Sequence, residues 1–458
     1  MKTVLITGDR SGSGKTTVSL AISNILSQNS TVQTYKVAMD YIDPSYLSGI
    51  TGRPSYNLDT FVQNTSETTN LFNYGTTGAD YGIVEGVRGL YEGVSPFDDV
   101  GSTASIAKLF DLPTILVINT RSITRSAAAL VKGFIDFDPG VKIKGVILNN
   151  VMGKKHIQKA TEAIEHYCKI PVVGAIPRQS NLELQSINMG LIPYQETYNK
   201  REFQNTINII TDTIRDSIDI DKIIHIMREY PESQTKIIPD TYKITNQTYG
   251  KTIAIAYDEA FNFYYGELKA ILELMGTKIV YFSPIKDKLP DADGYIFGSG
   301  HIELFADDLE SNENMRSEIR EIAKNNTPIY AECGGLMYLT RSITVDSTTS
   351  LKHNNTKSRC YDMCGVFNGD SKIESKKTLG YVIGTAKLPN NWNFSFKGHE
   401  FHYSQIKMDS DMVYTYQLSR GNGIDNGLDG AYIYNTLGAY THLMPISSYS
   451  LYKHLFLS

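Results

Sequence analysis

GDRSGSGKTT, Gly8–Thr17, lies between a short apolar run, Thr3–Thr7, and a segment of helical character, Thr16–Gln28. A strand, a glycine-rich turn and a helix in that order form the setting of a phosphate-binding loop. Gly8, Gly12 and Gly14, with Ser13 between them, let successive backbone N–H groups turn toward phosphate oxygens. Lys15 supplies positive charge, and Thr16, followed by Thr17, brings a hydroxyl suited to Mg²⁺ to the helix start. The spacing departs from G-x-x-x-x-G-K-[ST], because Asp9 stands at the first position and Gly8 comes one residue earlier. A flexible glycine loop with no nucleotide role is the alternative, and the strand–loop–Lys–Thr–helix order favours a nucleotide.

Outward from this loop, short apolar runs recur at Val32–Ala38, Tyr81–Glu85, Pro113–Asn119, Val141–Asn149 and Pro171–Ala175. Helix-length segments such as Thr103–Phe110 separate them, which predicts a doubly wound α/β domain. In such sheets the carboxyl ends of the strands line the ligand crevice. Asp40 and Asp43 in KVAMDYIDPSY and Glu85 in VEGVRGLYEG follow strands there and are candidate Mg²⁺ ligands beside Thr16. Their ordinary roles are loop capping for Asp40 and Asp43 and a solvated side chain for Glu85.

The spacing of Ile207, Ile210, Ile214, Ile218 and Ile223 predicts helix between Arg201 and Tyr230. Polar residues 231–250 then read as a linker between a domain over 1–230 and a second over 251–458. The second begins with strand Thr252–Tyr257. Helix Phe263–Leu274, strands Lys278–Phe282 and Gly294–Phe297, helix Glu310–Lys324 and strand Pro328–Ala331 follow, another α/β pattern.

PIYAECGGLMYL, Pro328–Leu339, puts Cys333 between a β-run and a helix start. A strand-to-helix turn presents a nucleophile, and the N–H of Gly334 can stabilise an oxyanion. GSGHIELF, Gly298–Phe305, follows another strand and adds donors, Gly300 among them. A thiol nucleophile needs a base. His442 in GAYTHLMP is the candidate, with His399 and His402 in GHEFHYS as competitors; that run reads equally as a structural hairpin or a substrate-contact strand.

At 458 residues, two domains of roughly 200 residues each are expected. A hydrophobic fraction of 41%, a charged fraction of 20% and a net charge of -5 describe a globular protein with no basic stripe for nucleic acid. Met1–Gly8 lacks the features of a signal peptide, and no apolar run is long enough to span a bilayer. The protein therefore reads as cytoplasmic, with neither membrane nor nucleic acid as partner and a homodimer left open. Four cysteines are too few for a disulfide framework. Cys360 and Cys364 lack the second ligand pair of a zinc site and read as packing residues.

The motifs above, together with GSTASIAK (Gly101–Lys108), GVILNNV (Gly145–Val151) and DEAFNFYY (Asp258–Tyr265), occur along nearly the whole chain. In them the chain resembles the tetrapyrrole a,c-diamide synthases, a family that includes cobyrinate and nickel-sirohydrochlorin a,c-diamide synthases. The resemblance implies an N-terminal P-loop domain like dethiobiotin synthetase and a C-terminal class I glutamine amidotransferase domain. It also implies ATP and Mg²⁺ on the loop around Lys15 and Thr16, L-glutamine as nitrogen donor, a metallo-tetrapyrrole as acceptor, and Cys333 and His442 as nucleophile and base. Arg88, the Ala-Met pair before Asp40 and RSITRS (Arg121–Ser126) resemble the nickel-sirohydrochlorin enzymes more than the cobyrinate ones.

Three departures stand out. INMGL (Ile187–Leu191) replaces an Arg-His-Leu-Gly-Leu run, and GSGHIELF replaces a triple glycine, with backbone donors expected to survive beside Ser299. Met444 stands where many class I amidotransferases have Glu, which predicts a Cys-His dyad. Rival readings are a regulatory ATPase switch, a non-catalytic tetrapyrrole carrier and a cobyric acid synthase.

Overall fold

In the computed structural model the described residues are 1–178, 186–187, 190–191, 200–238, 250–345 and 358–457. The chain divides into two compact units, Met1–Pro239 and Asp240–Ser458. Residues 231–238, expected in the linker, pack on the first unit: Tyr230 N–H donates to Met1 O, Ser233 O accepts from the Thr77 hydroxyl, and Ile238 is fully buried. Most of the remaining linker, 239–249, lies outside the described residues, as do Asn188 and Met189 of INMGL.

The first unit is built on seven parallel strands: β1 (Lys2–Gly8), β2 (Val32–Val37), β3 (Tyr56–Leu58), β4 (Tyr81–Glu85), β5 (Thr114–Asn119), β6 (Ile143–Val151) and β7 (Val172–Pro177). Their order in the sheet is β3-β2-β4-β1-β5-β6-β7, so β1 is central. A short antiparallel segment, Arg228–Glu229, also pairs with its start. Strands covered on both faces are apolar without alternation, and Val4, Leu5 and Ile6 are fully buried. Helix α1 (Lys15–Ser27) follows the phosphate loop and α2 (Ile42–Thr51) follows β2. The isoleucine stripe is split: Ile207, Ile210 and Ile214 lie on helix Lys200–Arg215, Ile218 forms a β-bridge to Gly174, and Ile223 lies on a second helix, Ile220–Ile226. Ile210, Ile214, Ile218 and Ile223 join Val18, Ala21 and Ile22 of α1 in one core.

The second unit carries an eleven-stranded mixed sheet. Strands Lys278–Phe282, Thr252–Ala256, Gly294–Phe297, Ile329–Glu332 and Thr436–Ala439 lie side by side in parallel, in that order. Mostly antiparallel strands continue it, including a long hairpin of Gly369–Leu388 with Trp392–Met408, to which Ser342–Val345 adds in parallel.

Two expected helices are altered by capping. The helix expected from Phe263 begins at Leu268. The Asp258 carboxylate takes the N–H groups of Ala260 and Phe261, and those of Asn262 and Phe263 go to Ser299 O, so no helical turn forms there. The helix expected over Glu310–Lys324 is two, Ala306–Ser311 and Glu313–Lys324, because Asn312 between them accepts from Met315 N–H as an N-cap.

Ile214 is fully buried between the helix and the sheet. Ile214→Ala should destabilise the first unit by about 2–5 kcal/mol, read as a lower denaturant midpoint for that unit's transition. A change within about 0.5 kcal/mol would contradict the packing described.

Candidate functional site

At the end of β1 the chain turns through Gly12 (φ 75°) and Gly14 (φ 96°), conformations that side chains resist. A Cβ on Gly8 would stand 2.0 Å from Ser13 Oγ, and one on Gly14 2.2 Å from Asn149 Nδ2. Asn149, on β6, donates from Nδ2 to Ser13 O at 2.8 Å and holds the loop from the far side. The cavity here has a volume of about 270 Å³ and is lined by Gly12, Gly14, Lys15, Thr16, Thr17 and Asn150 among others. Lys15 is buried, and burial together with the nearby Lys36 lowers its pKa.

The three acids do meet, around a residue that motif reading passed over. Lys36, the fifth residue of β2, is 1% exposed. Its Nζ ion-pairs with Asp43, lies 2.7 Å from Glu85 Oε1 and 3.8 Å from Asp40 Oδ2. The Thr16 hydroxyl donates to Glu85 Oε1 at 2.6 Å and reaches Asp43 Oδ2 at 3.4 Å. Glu85 is not solvated: it is fully buried, its Oε2 has no hydrogen-bond partner among the described residues, and burial pushes its pKa up to about 7. Asp40 Oδ1 accepts from the N–H groups of Ile42 and Asp43, so it caps α2 as well as facing Lys36. Burial raises Asp40 to about 6, whereas for Asp43 burial is outweighed by Lys36, which holds its pKa down. The only hint of Lys36 in the sequence is a lysine inside an otherwise buried strand.

Thr16, Asp43 and Glu85 offer a hydroxyl and two carboxylates beside a cavity fit for phosphates. That donor set suits Mg²⁺, which takes one or two carboxylates and completes its shell with phosphate oxygens and water. The orphaned Glu85 oxygen agrees with this. Among the described residues no cluster of three or more His, Cys, Asp or Glu could hold a metal ion. Cys360 is exposed and Cys364 is buried in the core, where burial raises its thiol pKa to about 12. No helix among them is long and apolar enough to cross a membrane.

In the second unit Cys333 stands between strand Ile329–Glu332 and helix Gly334–Leu339 with φ 45° and ψ -97°, a costly backbone for a non-glycine residue. Its N–H is held by Ala439 O at 2.8 Å. Glycine permits the turn, since a Cβ on Gly335 would stand 2.1 Å from Phe297 O. Gly300 and Gly334 come together as expected: a Cβ on Gly334 would lie 3.2 Å from Gly300 N. One expectation changes here. Ser299 does not leave the Gly334 N–H open, because its buried hydroxyl accepts from that group at 3.2 Å.

His442 follows strand Thr436–Ala439, and its imidazole faces Cys333, whose side chain favours a proton on the ring; the Cys333 thiol also reaches Phe401 O at 3.7 Å. Burial opposes charge on the ring, but Cys333 and Glu332 outweigh it and hold the His442 pKa up at about 10. The competitors have other places. His399 exchanges backbone hydrogen bonds with His442 at 2.8 and 3.2 Å, and burial drives its own pKa well below the ordinary value. His402 stacks on Tyr440 with ring centres 3.8 Å apart, its Nδ1 lies 2.8 Å from Ser404 O, and burial lowers its pKa to about 4. GHEFHYS thus runs along the hairpin strand that registers the His442 loop.

The expected dyad gains a third member. Glu332 Oε2 lies 3.3 Å from His442 Nδ1, so the acid comes from the residue before the cysteine and not from beyond the histidine. A buried Glu closing an apolar strand was the signal.

Residues 4–192 match the family model of the CobQ/CobB/MinD/ParA nucleotide binding domain, and residues 252–448 that of the CobB/CobQ-like glutamine amidotransferase domain. The chain is 43% identical to a cobyrinate a,c-diamide synthase of Methanosarcina acetivorans, covering 97% of this chain and 92% of that one. It is 42% identical to one of Methanosarcina barkeri (97% and 93%) and 41% identical to one of Methanosphaera stadtmanae (96% and 95%). A nucleotide-binding domain thus precedes a glutamine amidotransferase domain.

Gly14→Ala should cost about 1–3 kcal/mol of backbone strain in the loop's present conformation. Relaxation of the loop should then weaken ATP binding about tenfold or more, measured by titration calorimetry. Unchanged affinity would contradict the loop as the nucleotide site.

Proposed function

We propose, for a chain that belongs to the cobyrinate a,c-diamide synthase family and so is a glutamine-dependent amidating ligase, that its two sites divide the making of an amide. One observation carries the reading: a phosphate loop backed by buried lysines and a strained, base-paired cysteine occur in the same chain. A carboxylate resists ammonia because its charge and resonance oppose attack. In the first unit a substrate carboxylate oxygen attacks the γ-phosphorus of ATP, ADP leaves, and an acyl phosphate forms. Lys15 and Lys36 hold the negative charge that develops on the transferring group. Thr16, Asp43 and Glu85 would hold Mg²⁺, with Asp40 behind them. When bound, that ion neutralises phosphate charge.

In the second unit Cys333 Sγ attacks the side-chain amide carbon of glutamine. The C–N bond breaks and protonated His442 gives its proton to the departing ammonia, leaving a glutamyl thioester. Water attacks the thioester, His442 takes a proton from it, and glutamate leaves as the thiol is restored. The N–H groups of Gly300 and Gly334 serve the oxyanion, so Ser299 must yield its hydrogen bond when glutamine arrives. Ammonia then attacks the acyl carbon and expels phosphate.

The acceptor in this reading is a metallo-tetrapyrrole amidated on its a and c side chains. Nickel-sirohydrochlorin is favoured by Arg88, by Ala38 and Met39 before Asp40, and by Arg121–Ser126. Arg88 is exposed three residues past Glu85, so its guanidinium is free to meet a substrate carboxylate. Cobyrinate is the second reading, favoured by the names of the relatives.

Incubation with ATP, Mg²⁺, glutamine and each tetrapyrrole in turn should add two amides by mass to nickel-sirohydrochlorin. Addition only to cobyrinate would select the second reading, and addition to neither would overturn both. Cys333→Ala should abolish glutamine-dependent amidation and recover it with ammonium chloride. Failure of that rescue with ATP binding intact would contradict separate ammonia and activation sites.

A further inference from the structure

Glutamine hydrolysis at Cys333 asks His442 to hold a proton on one nitrogen while the other faces sulfur. An imidazole free to rotate or change tautomer does this poorly. The backbone pair with His399 fixes the position of residue 442 but says nothing about its ring. The ring is met by Glu332.

Each contact of Glu332 narrows what its carboxylate can do. Oε1 accepts from the Tyr330 hydroxyl at 2.6 Å and from Leu443 N–H at 3.0 Å. Oε2 lies 3.3 Å from His442 Nδ1. Tyr330 is 1% exposed, and Leu443 is the residue after the histidine. The carboxylate is therefore tied both to its own strand and to the loop that carries the ring. With Nδ1 turned to Glu332, Nε2 is the nitrogen left for Cys333.

The other titratable groups around His442 cannot replace this acid. His399, with its ring centre 5.1 Å away, and His402 are both kept neutral by burial. Asp429 is spent on the backbone N–H groups of Tyr440 and Thr441 and on the Thr441 hydroxyl. Glu332 brings the one carboxylate to Nδ1 among the described residues.

We propose that Glu332 is a positioning residue for glutamine hydrolysis, its carboxylate accepting the Nδ1 proton of His442 and thereby aiming Nε2 at Cys333. The role rests on the amidotransferase reading above and deepens it. A glutamine at 332 keeps the size and the Oε1 contacts but can offer an N–H to Nδ1, which selects the tautomer whose Nε2 is already protonated. It also removes the negative charge that stabilises the imidazolium, so the ring loses its proton at lower pH.

The full-length chain tests this through three rates: glutamate release from glutamine, ADP release supported by glutamine, and ADP release supported by ammonium chloride, the last two with whichever tetrapyrrole the wild type amidates. Glu332→Gln should lower kcat for glutamate release by about 100-fold or more, with KM for glutamine within about threefold. The basic limb of its pH profile should move to lower pH, and ammonium-supported turnover should persist. Unchanged glutamate release, or a loss with the basic limb unmoved, would overturn the role. Should Glu332→Gln fail to fold, wild-type protein labelled at histidine Cε1 gives an independent answer by NMR. His442 should keep its imidazolium shift above pH 8, and titration at or below the ordinary histidine pKa, about 6.5, would overturn the role. A wild type that binds ATP yet releases no glutamate from glutamine would remove the amidotransferase reading itself.

Discussion

Both sites depend on one constraint: a chain leaving the carboxyl end of a buried parallel strand must pass through a tight turn into a helix, with no room for a Cβ at one glycine beside it. At Gly14 the neighbour is the Asn149 amide, and at Gly335 it is the Phe297 carbonyl. Within each unit the turn places helix N–H groups and one reactive side chain at the mouth of the sheet, Lys15 in the first and Cys333 in the second. The backbone at Cys333 is strained and the sheet on either side holds it. A ligand with developing negative charge meets fixed dipoles there in place of reorganising water.

The two sites then manage charge in opposite ways. The first gathers it, with a fully buried lysine among three carboxylates and a second lysine on the loop. Such a cluster is stable only while its charges balance, because removing one member of a buried pair costs about 3–5 kcal/mol. A nucleotide and its metal ion would enter this balance and redistribute it, which suits a site that transfers a phosphoryl group. The second site keeps its charges few. Two of its three nearby histidines are driven neutral by burial, so protonation is confined to His442 between Cys333 and Glu332.

Much of this architecture was legible in the sequence wherever a local rule set the outcome. Continuous apolar runs marked parallel strands covered on both faces, and the isoleucine stripe marked helix on either side of Ile218, over Lys200–Arg215 and Ile220–Ile226, but not the break between them. Glycines beside Lys15 and Cys333 marked the turns. What stayed hidden depended on contacts distant in the chain. The hairpin Gly369–Leu388 with Trp392–Met408 alternates buried and exposed residues over much of its length, but in the sequence only GHEFHYS within it reads as a hairpin strand, and its pairing partner lies in a separate charged stretch. The late start of the helix expected from Phe263 follows from Ser299, more than thirty residues away. Lys36 looked like one polar residue in a strand until Asp43 and Glu85 were placed beside it. Glu332 looked like a strand end until the loop after Ala439 brought His442 back across it.

The central claim is that ammonia freed from glutamine at Cys333 becomes the new amide nitrogen on a carboxylate activated by ATP. Glutamine labelled with ¹⁵N in its side-chain amide tests it most directly, with the tetrapyrrole product weighed against unlabelled ammonium in the buffer. The account predicts that the added amides carry ¹⁵N and that the label is absent when Cys333 is alanine. Product amidated from the unlabelled ammonium while glutamine remains intact would contradict it.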